Sequence, residues 1–183
     1  SIRANPTENT KRLHRLVGAL PGRQVHFVAH SLGGLIVRQL FEDFPEQPPG
    51  RIVTLGSPHQ GSHVARKLAS WRLLRPLLGQ SREILCGHSL PPWQRQRELG
   101  CIAGTLSLGM GWLVPGMSRP NDGTVAVNEA LLTAQADHTL VHASHMGMLV
   151  SKETAEQIIH FLKYGRFALP PNKKDQVTSH PAS

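Results

Sequence analysis

Aromatic residues and cysteines are scarce in this chain. Only 5% of its 183 residues are Phe, Trp or Tyr, and the sequence has no recognition-helix motif, zinc finger or platform of stacking side chains. These absences argue against a role in binding nucleic acid. The two cysteines, Cys86 and Cys101, lie in unlike contexts without partners at metal-ligand spacing. We expect two free thiols, with a disulfide between them as the lesser alternative.

Long apolar runs and acidic residues are also in short supply. No run approaches the roughly 18 apolar residues of a membrane-spanning helix, and no signal peptide is visible. Lys and Arg number 20 against 12 Asp and Glu, which gives a formal net charge of +8. A basic surface suits peripheral contact with an anionic membrane. A cytoplasmic or membrane-peripheral location is favoured, and export is left open.

Histidines, in contrast, are plentiful, but they are scattered. The eleven histidines are spread from residue 14 to residue 180, and no Cys-x-x-Cys element accompanies them. A metal site is therefore not expected, and most of the histidines are interpreted as surface or partly buried groups.

The most informative segment is Ala-His-Ser-Leu-Gly-Gly at residues 29–34. It follows a strand-like run, residues 25–28, and leads into a helix-like run, residues 35–44, which places Ser31 on a sharp strand-to-helix turn. Ala29 and Gly33 are both small, as such a turn requires two residues before and after the serine. Ser31 is the predicted nucleophile, and the backbone N–H of Leu32 at the helix start is a predicted oxyanion donor.

An acid and a histidine follow the serine in the order of a catalytic triad. Asp122 lies in an Asn-Asp-Gly turn after the strand-like run 102–106, and His145 lies in the loop after the short strand predicted at 140–143. In a parallel sheet these loops meet at one edge. Ser31 would attack an acyl carbon, His145 would transfer its proton, and Asp122 would orient the imidazole.

Other acids and histidines fit less well. Glu129 follows Asp122 by seven residues, Asp137 precedes the last strand, and His138 and His142 lie before or within that strand. A group at the amino end of a strand faces away from the expected site. Asp122 and His145 are therefore preferred.

Four motifs in one order resemble the lipases and esterases of the α/β-hydrolase family. They are residues 29–34, residues 52–62 (Ile-Val-Thr-Leu-Gly-Ser-Pro-His-Gln-Gly-Ser), residues 121–125 (Asn-Asp-Gly-Thr-Val) and residues 144–145 (Ser-His). Within the family the chain looks most similar to the bacterial triacylglycerol-lipase branch related to the GPI inositol-deacylase-like hydrolases. The resemblance implies hydrolysis of carboxylic esters, from lipids or other acyl compounds, through an acyl-serine intermediate and without metal or organic cofactor.

Members of that family begin with further strands and a His-Gly loop that completes the oxyanion hole, and nothing similar precedes residue 25. We therefore expect an N-terminally shortened hydrolase with impaired activity, because one oxyanion donor typically contributes about 100- to 1000-fold in rate. The strand before Ser31 would then have an open apolar edge, which favours a homodimer or aggregation. The alternative function is a weak or inactive relative that binds lipid or a protein partner. Acyl transfer to an alcohol is a third interpretation.

Further side chains are candidates for the substrate pocket or for a cap above it. His30, His59, Trp112 and Met146 are predicted to line the pocket, with ordinary packing as the alternative. The basic amphipathic stretch from 63 to 82 is predicted to form a cap, or else a helix packed on the sheet with a solvated basic side.

The predicted architecture is a single α/β domain, residues 1–169, with a largely parallel sheet, helices on both faces and a small helical cap inserted at about 60–98. The polar, proline-rich residues 170–183 are predicted to be a disordered tail.

Overall fold

Four parallel strands form the centre of the protein. The structure is a computed structural model and describes residues 6–70, 82–86, 90–94, 96–109 and 116–169. The strands are β1 (Phe27–His30), β2 (Ile52–Leu55), β3 (Leu99–Gly104) and β4 (Asp137–Val141). They lie in the sheet in chain order, and every neighbouring pair is parallel. The predicted parallel sheet is thereby confirmed.

Helices connect the strands and cover both faces of the sheet. The helices are α1 (Pro6–Gly18), α2 (Leu32–Asp43), α3 (His63–Ser70), α4 (Arg82–Leu85), α5 (Val127–Ala130) and α6 (Lys152–Tyr164), and a 3₁₀ turn spans Gly147–Leu149. Helix α6 begins at an N-cap, where the Ser151 hydroxyl accepts a hydrogen bond from the Thr154 N–H, and it ends at Gly165 in the left-handed conformation. No helix among the described residues is long and apolar enough to cross a bilayer.

The hydrophobic core has a part on each face of the sheet. Alternate residues of a strand point to opposite faces. Phe27 and Ala29 of β1 pack in one cluster with Val37 and Phe41 of α2. Residues of β2, β3 and β4 pack in the other cluster around the fully buried Phe161 of α6. The sheet is thus the middle layer of the fold.

The loops that leave the carboxyl ends of the strands lie along one edge of this layer. Ser31 follows β1 directly, and His145 lies four residues beyond the end of β4. Asp122 follows β3 after a longer connection. Parallel pairing is the reason why residues 91 and 23 positions apart in the sequence reach the same edge.

Strand β1 lies at the edge of the described sheet and is hydrogen-bonded only on its β2 side. Beside it, α1 and α2 enclose a groove of about 560 Å³, whose walls include Leu13, Phe27 and Ile36. Val28 is 48% exposed there. The open apolar edge expected from the sequence is present in the described residues, and self-association through it stays a prediction.

Element boundaries differ modestly from the sequence predictions. Strand β1 begins two residues later than predicted, β3 and β4 begin three earlier, and α2 begins three earlier, directly after Ser31. The first part of the predicted cap is the helix α3, while residues 71–81 and 87–89, Trp112 and the predicted tail 170–183 lie outside the described residues. The division into domain, cap and tail stays a prediction.

Candidate active site

Ser31 occupies a strained turn between β1 and α2. Its φ is 55° and its ψ is −124°, and it is the only non-glycine residue with positive φ among the described residues. Such a conformation costs free energy and persists only where the surroundings hold it. The Ser31 N–H donates to the Leu55 carbonyl of β2 at 2.9 Å, which anchors the turn to the sheet. The side chain of Ser31 makes no cap hydrogen bond to its helix.

The crowding behind this turn falls one residue later than the sequence predicts. A Cβ added at Gly33 would lie 3.6 Å from Ala29 Cβ, which is an ordinary van der Waals distance. A Cβ added at Gly34 would overlap Ser57 Oγ and lie 2.7 Å from Ser57 Cβ. Gly34 is therefore the residue that lets α2 approach the β2 side of the sheet, and Ala29 fits beside Gly33 without conflict.

Asp122 is buried and fully engaged. Its Oδ1 accepts hydrogen bonds from the backbone N–H groups of Thr124 at 2.8 Å and Val125 at 2.7 Å. Its Oδ2 lies 2.7 Å from Nδ1 of His145. Each oxygen therefore has a distinct task, one in shaping the turn and the other in contacting the histidine.

His145 is attached to the same aspartate twice. Its backbone N–H donates to the Asp122 carbonyl at 2.8 Å, and its ring Nδ1 faces the carboxylate. A carboxylate only accepts, so Nδ1 carries a proton and Nε2 is a bare acceptor in the neutral ring. A histidine in this tautomer can act as a general base through Nε2.

Gly56, directly after β2, makes room for the Asp122–His145 pair. Its φ is +50°, and an added Cβ would lie 2.7 Å from Asp122 Oδ2 and 3.1 Å from His145 Nδ1. In the sequence Gly56 lies within the second of the four motifs, residues 52–62, where no role is predicted for it. A glycine immediately after a buried strand was the available signal, since such a position often marks close approach of another chain segment.

His30, which is predicted to line the substrate pocket, contacts His145, and its role in substrate contact stays a prediction. Its Nε2 lies 2.9 Å from the His145 carbonyl oxygen, and the two ring centroids are 4.5 Å apart. Burial and the neighbouring His145 lower the pKa of His30.

The other predicted site residues have different surroundings. His59 is buried, with Nε2 3.0 Å from Thr54 Oγ1, and it lines a cavity of about 270 Å³ with Arg38 and Trp93. Burial, helped by Arg38, lowers the pKa of His59 to about 3. Met146, next to His145, is 65% exposed. Roles in substrate contact for His59, Met146 and Trp112 stay predictions.

Glu129, the nearest competing acid, has a structural environment. Its carboxylate accepts from the backbone N–H groups of His63 and Ala126 and lies 3.4 Å from the Arg66 guanidinium. It thereby joins α5 to the start of α3, where a negative charge favours a helix. Asp137, the other alternative, accepts from the N–H groups of His138 and Phe167 at the beginning of β4.

The parallel sheet, the strained serine turn and the Asp–His pair at its carboxyl edge define an α/β-hydrolase fold. The chain belongs to the family described as Domain of unknown function (DUF7379), whose model matches residues 1–92. No curated protein matches the sequence.

Solved structures of similar fold include lipases and esterases. The mature lipase BlEst2 of Bacillus licheniformis has a TM-score of 0.66 and 20% identity, over 90% of this chain and 74% of that one. A carboxyl esterase from a metagenome has a TM-score of 0.59 and 18% identity, over 97% of this chain and 57% of its own. Carboxylesterase CesB of Bacillus subtilis has a TM-score of 0.50 and 16% identity, over 89% of this chain and 68% of its own.

Because these sequence identities are low, the comparisons establish the fold alone. The chain spans three quarters or less of the length of each of these three proteins. The triacylglycerol-lipase branch suggested by the sequence stays a prediction.

Proposed function

We propose that the protein is a serine hydrolase that cleaves carboxylic esters of small-molecule or lipid substrates. The observation that carries the proposal is the 2.7 Å contact between Asp122 Oδ2 and His145 Nδ1, at the same sheet edge as the strained Ser31 turn. An oriented histidine beside a serine on a strand-to-helix turn is the arrangement that nucleophilic acyl transfer requires.

In the proposed reaction Ser31 Oγ attacks the ester carbon while Nε2 of His145 removes its proton. The N–H of Leu32, the first residue of α2, donates to the developing oxyanion. His145 then returns the proton to the departing alcohol, and water releases the acyl group by the same steps. Asp122 holds the histidine tautomer and stabilises the imidazolium form. No step needs a metal or an organic cofactor.

The side chains of Ser31 and His145 share no hydrogen bond within the described residues. Catalytic hydrogen bonds are often long or misaligned without substrate and tighten in the reacting complex. The substrate pocket sets the preferred acyl-chain length and alcohol. It also decides whether water or an alcohol accepts the acyl group.

Covalent labelling with a fluorophosphonate probe, followed by mass mapping, tests this proposal. We expect the wild type to be modified at Ser31, and we expect labelling to be lost in Ser31→Ala and His145→Ala. His138→Ala, which changes an exposed histidine of β4, is the matched control and should label at the wild-type rate. A series of p-nitrophenyl esters then defines the preferred acyl length.

A folded wild-type protein that stays unlabelled contradicts the proposal. In that case the interpretation as a binding relative is the better one, and calorimetry with acyl-lipid vesicles is the appropriate next measurement. Circular dichroism on every variant separates loss of chemistry from loss of fold.

A further inference from the structure

His30 connects the strand that carries Ser31 to the loop that carries His145. It is the last residue of β1, and its Nε2 lies 2.9 Å from the carbonyl oxygen of His145. A carbonyl oxygen only accepts hydrogen bonds, so Nε2 of His30 must carry the proton. The contact therefore assigns the Nε2–H tautomer to His30 when its ring is neutral.

The surroundings keep that ring neutral. His30 is half-buried, and its ring centroid lies 4.5 Å from that of His145, with the planes inclined by 46°. Desolvation by burial, followed by the proximity of His145, lowers the pKa of His30 from its ordinary 6.5. Near pH 7 His30 thus acts as a neutral donor and adds no second positive charge beside the proposed general base.

His145 is consequently held at three points. Asp122 holds the backbone N–H and ring Nδ1, and His30 holds the backbone carbonyl. The two bonds to Asp122 fix the histidine relative to the acid loop. Of these three bonds, only the one from His30 to the His145 carbonyl involves the residue next to Ser31. It therefore links the position of the base to the position of the nucleophile.

We propose that His30 is a positioning residue, which sets the placement of the His145 ring relative to Ser31 by donating from Nε2 to the His145 carbonyl. This inference rests on the proposed hydrolase function. A misplacement of reacting groups by about 1 Å costs about 100-fold in rate. Loss of the His30 donor should therefore reduce kcat and leave KM nearly unchanged, because no group that contacts substrate is removed.

Two substitutions separate the donor from the ring. His30→Gln places an amide N–H donor at the Nε2 position without an imidazole, whereas His30→Phe keeps an aromatic ring against His145 without a donor. We expect His30→Phe to lower kcat on a p-nitrophenyl ester by about 10- to 100-fold. His30→Gln should recover most of that loss. His138→Phe, at an exposed position on β4, is the matched control.

Nitrogen-15 NMR of the histidine rings gives a readout that does not depend on activity. We expect His30 to be in the Nε2–H tautomer in wild type and in Ser31→Ala alike. Finding the Nδ1–H tautomer would overturn the proposed contact directly.

The kinetic outcomes distinguish this inference from the proposed function. An unlabelled, folded wild type in the fluorophosphonate experiment overturns both together. A labelled wild type with unchanged kcat in His30→Phe overturns the positioning role alone. A raised KM at unchanged kcat in His30→Phe also overturns it, because His30 would then be a substrate contact. An equal loss of kcat in His30→Gln and His30→Phe overturns it as well.

Discussion

Asp122 divides its two carboxylate oxygens between the backbone and His145. Oδ1 accepts the N–H groups of Thr124 and Val125, and Oδ2 lies 2.7 Å from His145 Nδ1. In Asp122→Asn, an amide oxygen at the Oδ1 position keeps the backbone bonds and the amide NH₂ then faces His145. The histidine must then present a bare Nδ1, which puts its proton on Nε2 and removes the base.

We therefore expect Asp122→Asn to fold normally and to lose most of its activity. The corresponding loss of the correct tautomer in a serine protease costs about 10⁴-fold in kcat. The measurement is the rate of ester hydrolysis, with the unfolding midpoint as a check on the fold. Asp122→Asn activity within about tenfold of the wild type would remove Asp122 from the mechanism.

The buried carboxylate of Glu129 should give the opposite result. It accepts backbone N–H groups at the start of α3 and α5, so Glu129→Ala leaves buried donors unsatisfied, at a cost of about 1–3 kcal/mol. Activity per folded molecule should stay at the wild-type level at a temperature where the variant is folded. Denaturant unfolding measures the loss of stability, and active-site titration measures the activity per folded molecule. A stable but inactive Glu129→Ala would contradict a purely structural role for Glu129.

Adjacent glycines in α2 should respond differently to alanine. Gly33→Ala adds a Cβ at ordinary contact distance from Ala29, and alanine favours a helix over glycine by up to about 1 kcal/mol. Gly34→Ala forces a Cβ into Ser57, and overpacking of this kind costs about 1–3 kcal/mol. Chemical denaturation of the two variants should show a neutral or stabilised Gly33→Ala and a destabilised Gly34→Ala. Equal stabilities would show that Ser57 moves aside freely.

Gly56→Ala should disturb the site as well as the fold. The added Cβ meets Asp122 Oδ2 and His145 Nδ1, and the positive φ adds about 1–2 kcal/mol for an L-residue. We expect lower stability together with slower fluorophosphonate labelling. Gly18→Ala, at the end of α1 with nothing within 4 Å of the new Cβ, is the control and should lower neither the stability nor the labelling rate. Normal labelling in Gly56→Ala would separate this glycine from the pair.

His59 should make stability depend on pH. Its folded pKa is about 3 against an ordinary 6.5, so between these values the unfolded chain binds a proton that the folded chain does not. Stability then falls as the pH falls, by up to about 1.4 kcal/mol per pH unit, and this histidine has no such effect above pH 6.5. The pKa of His59 is lowered mainly by its burial and secondly by the nearby positive charge of Arg38.

His59→Gln should remove this contribution. Lowering the pH from 6.5 to 5 should destabilise the wild type by about 1.5 kcal/mol more than His59→Gln in denaturant unfolding. His138→Gln, which replaces an exposed histidine, should follow the wild type. If the stabilities of His59→Gln and wild type fell equally with pH, His59 would be protonated in the folded protein as readily as in the unfolded chain.

The sequence predicted the fold well because its signals are local. The parallel sheet, the serine turn and the loops of Asp122 and His145 follow from short apolar runs, small residues and the geometry of parallel sheets. The approach of Gly34 to Ser57 and the role of Gly56 depend on how separate segments pack, which spacing along the chain does not report. His30 shows the same limit, since its neighbour Ser31 indicated a site and its partner lies 115 residues away.

In the described part of the chain β1 is paired on one side, which affects the motions of the strand that precedes Ser31. The N–H groups of Phe27 and Ser31 donate to the carbonyls of Arg51, just before β2, and Leu55, in β2, and successive N–H groups of a strand point in opposite directions. Those of Val28 and His30 therefore face away from β2. Amide hydrogen exchange along this strand should alternate with a period of two residues, and slowing at Val28 and His30 would report any chain that comes to lie along this edge.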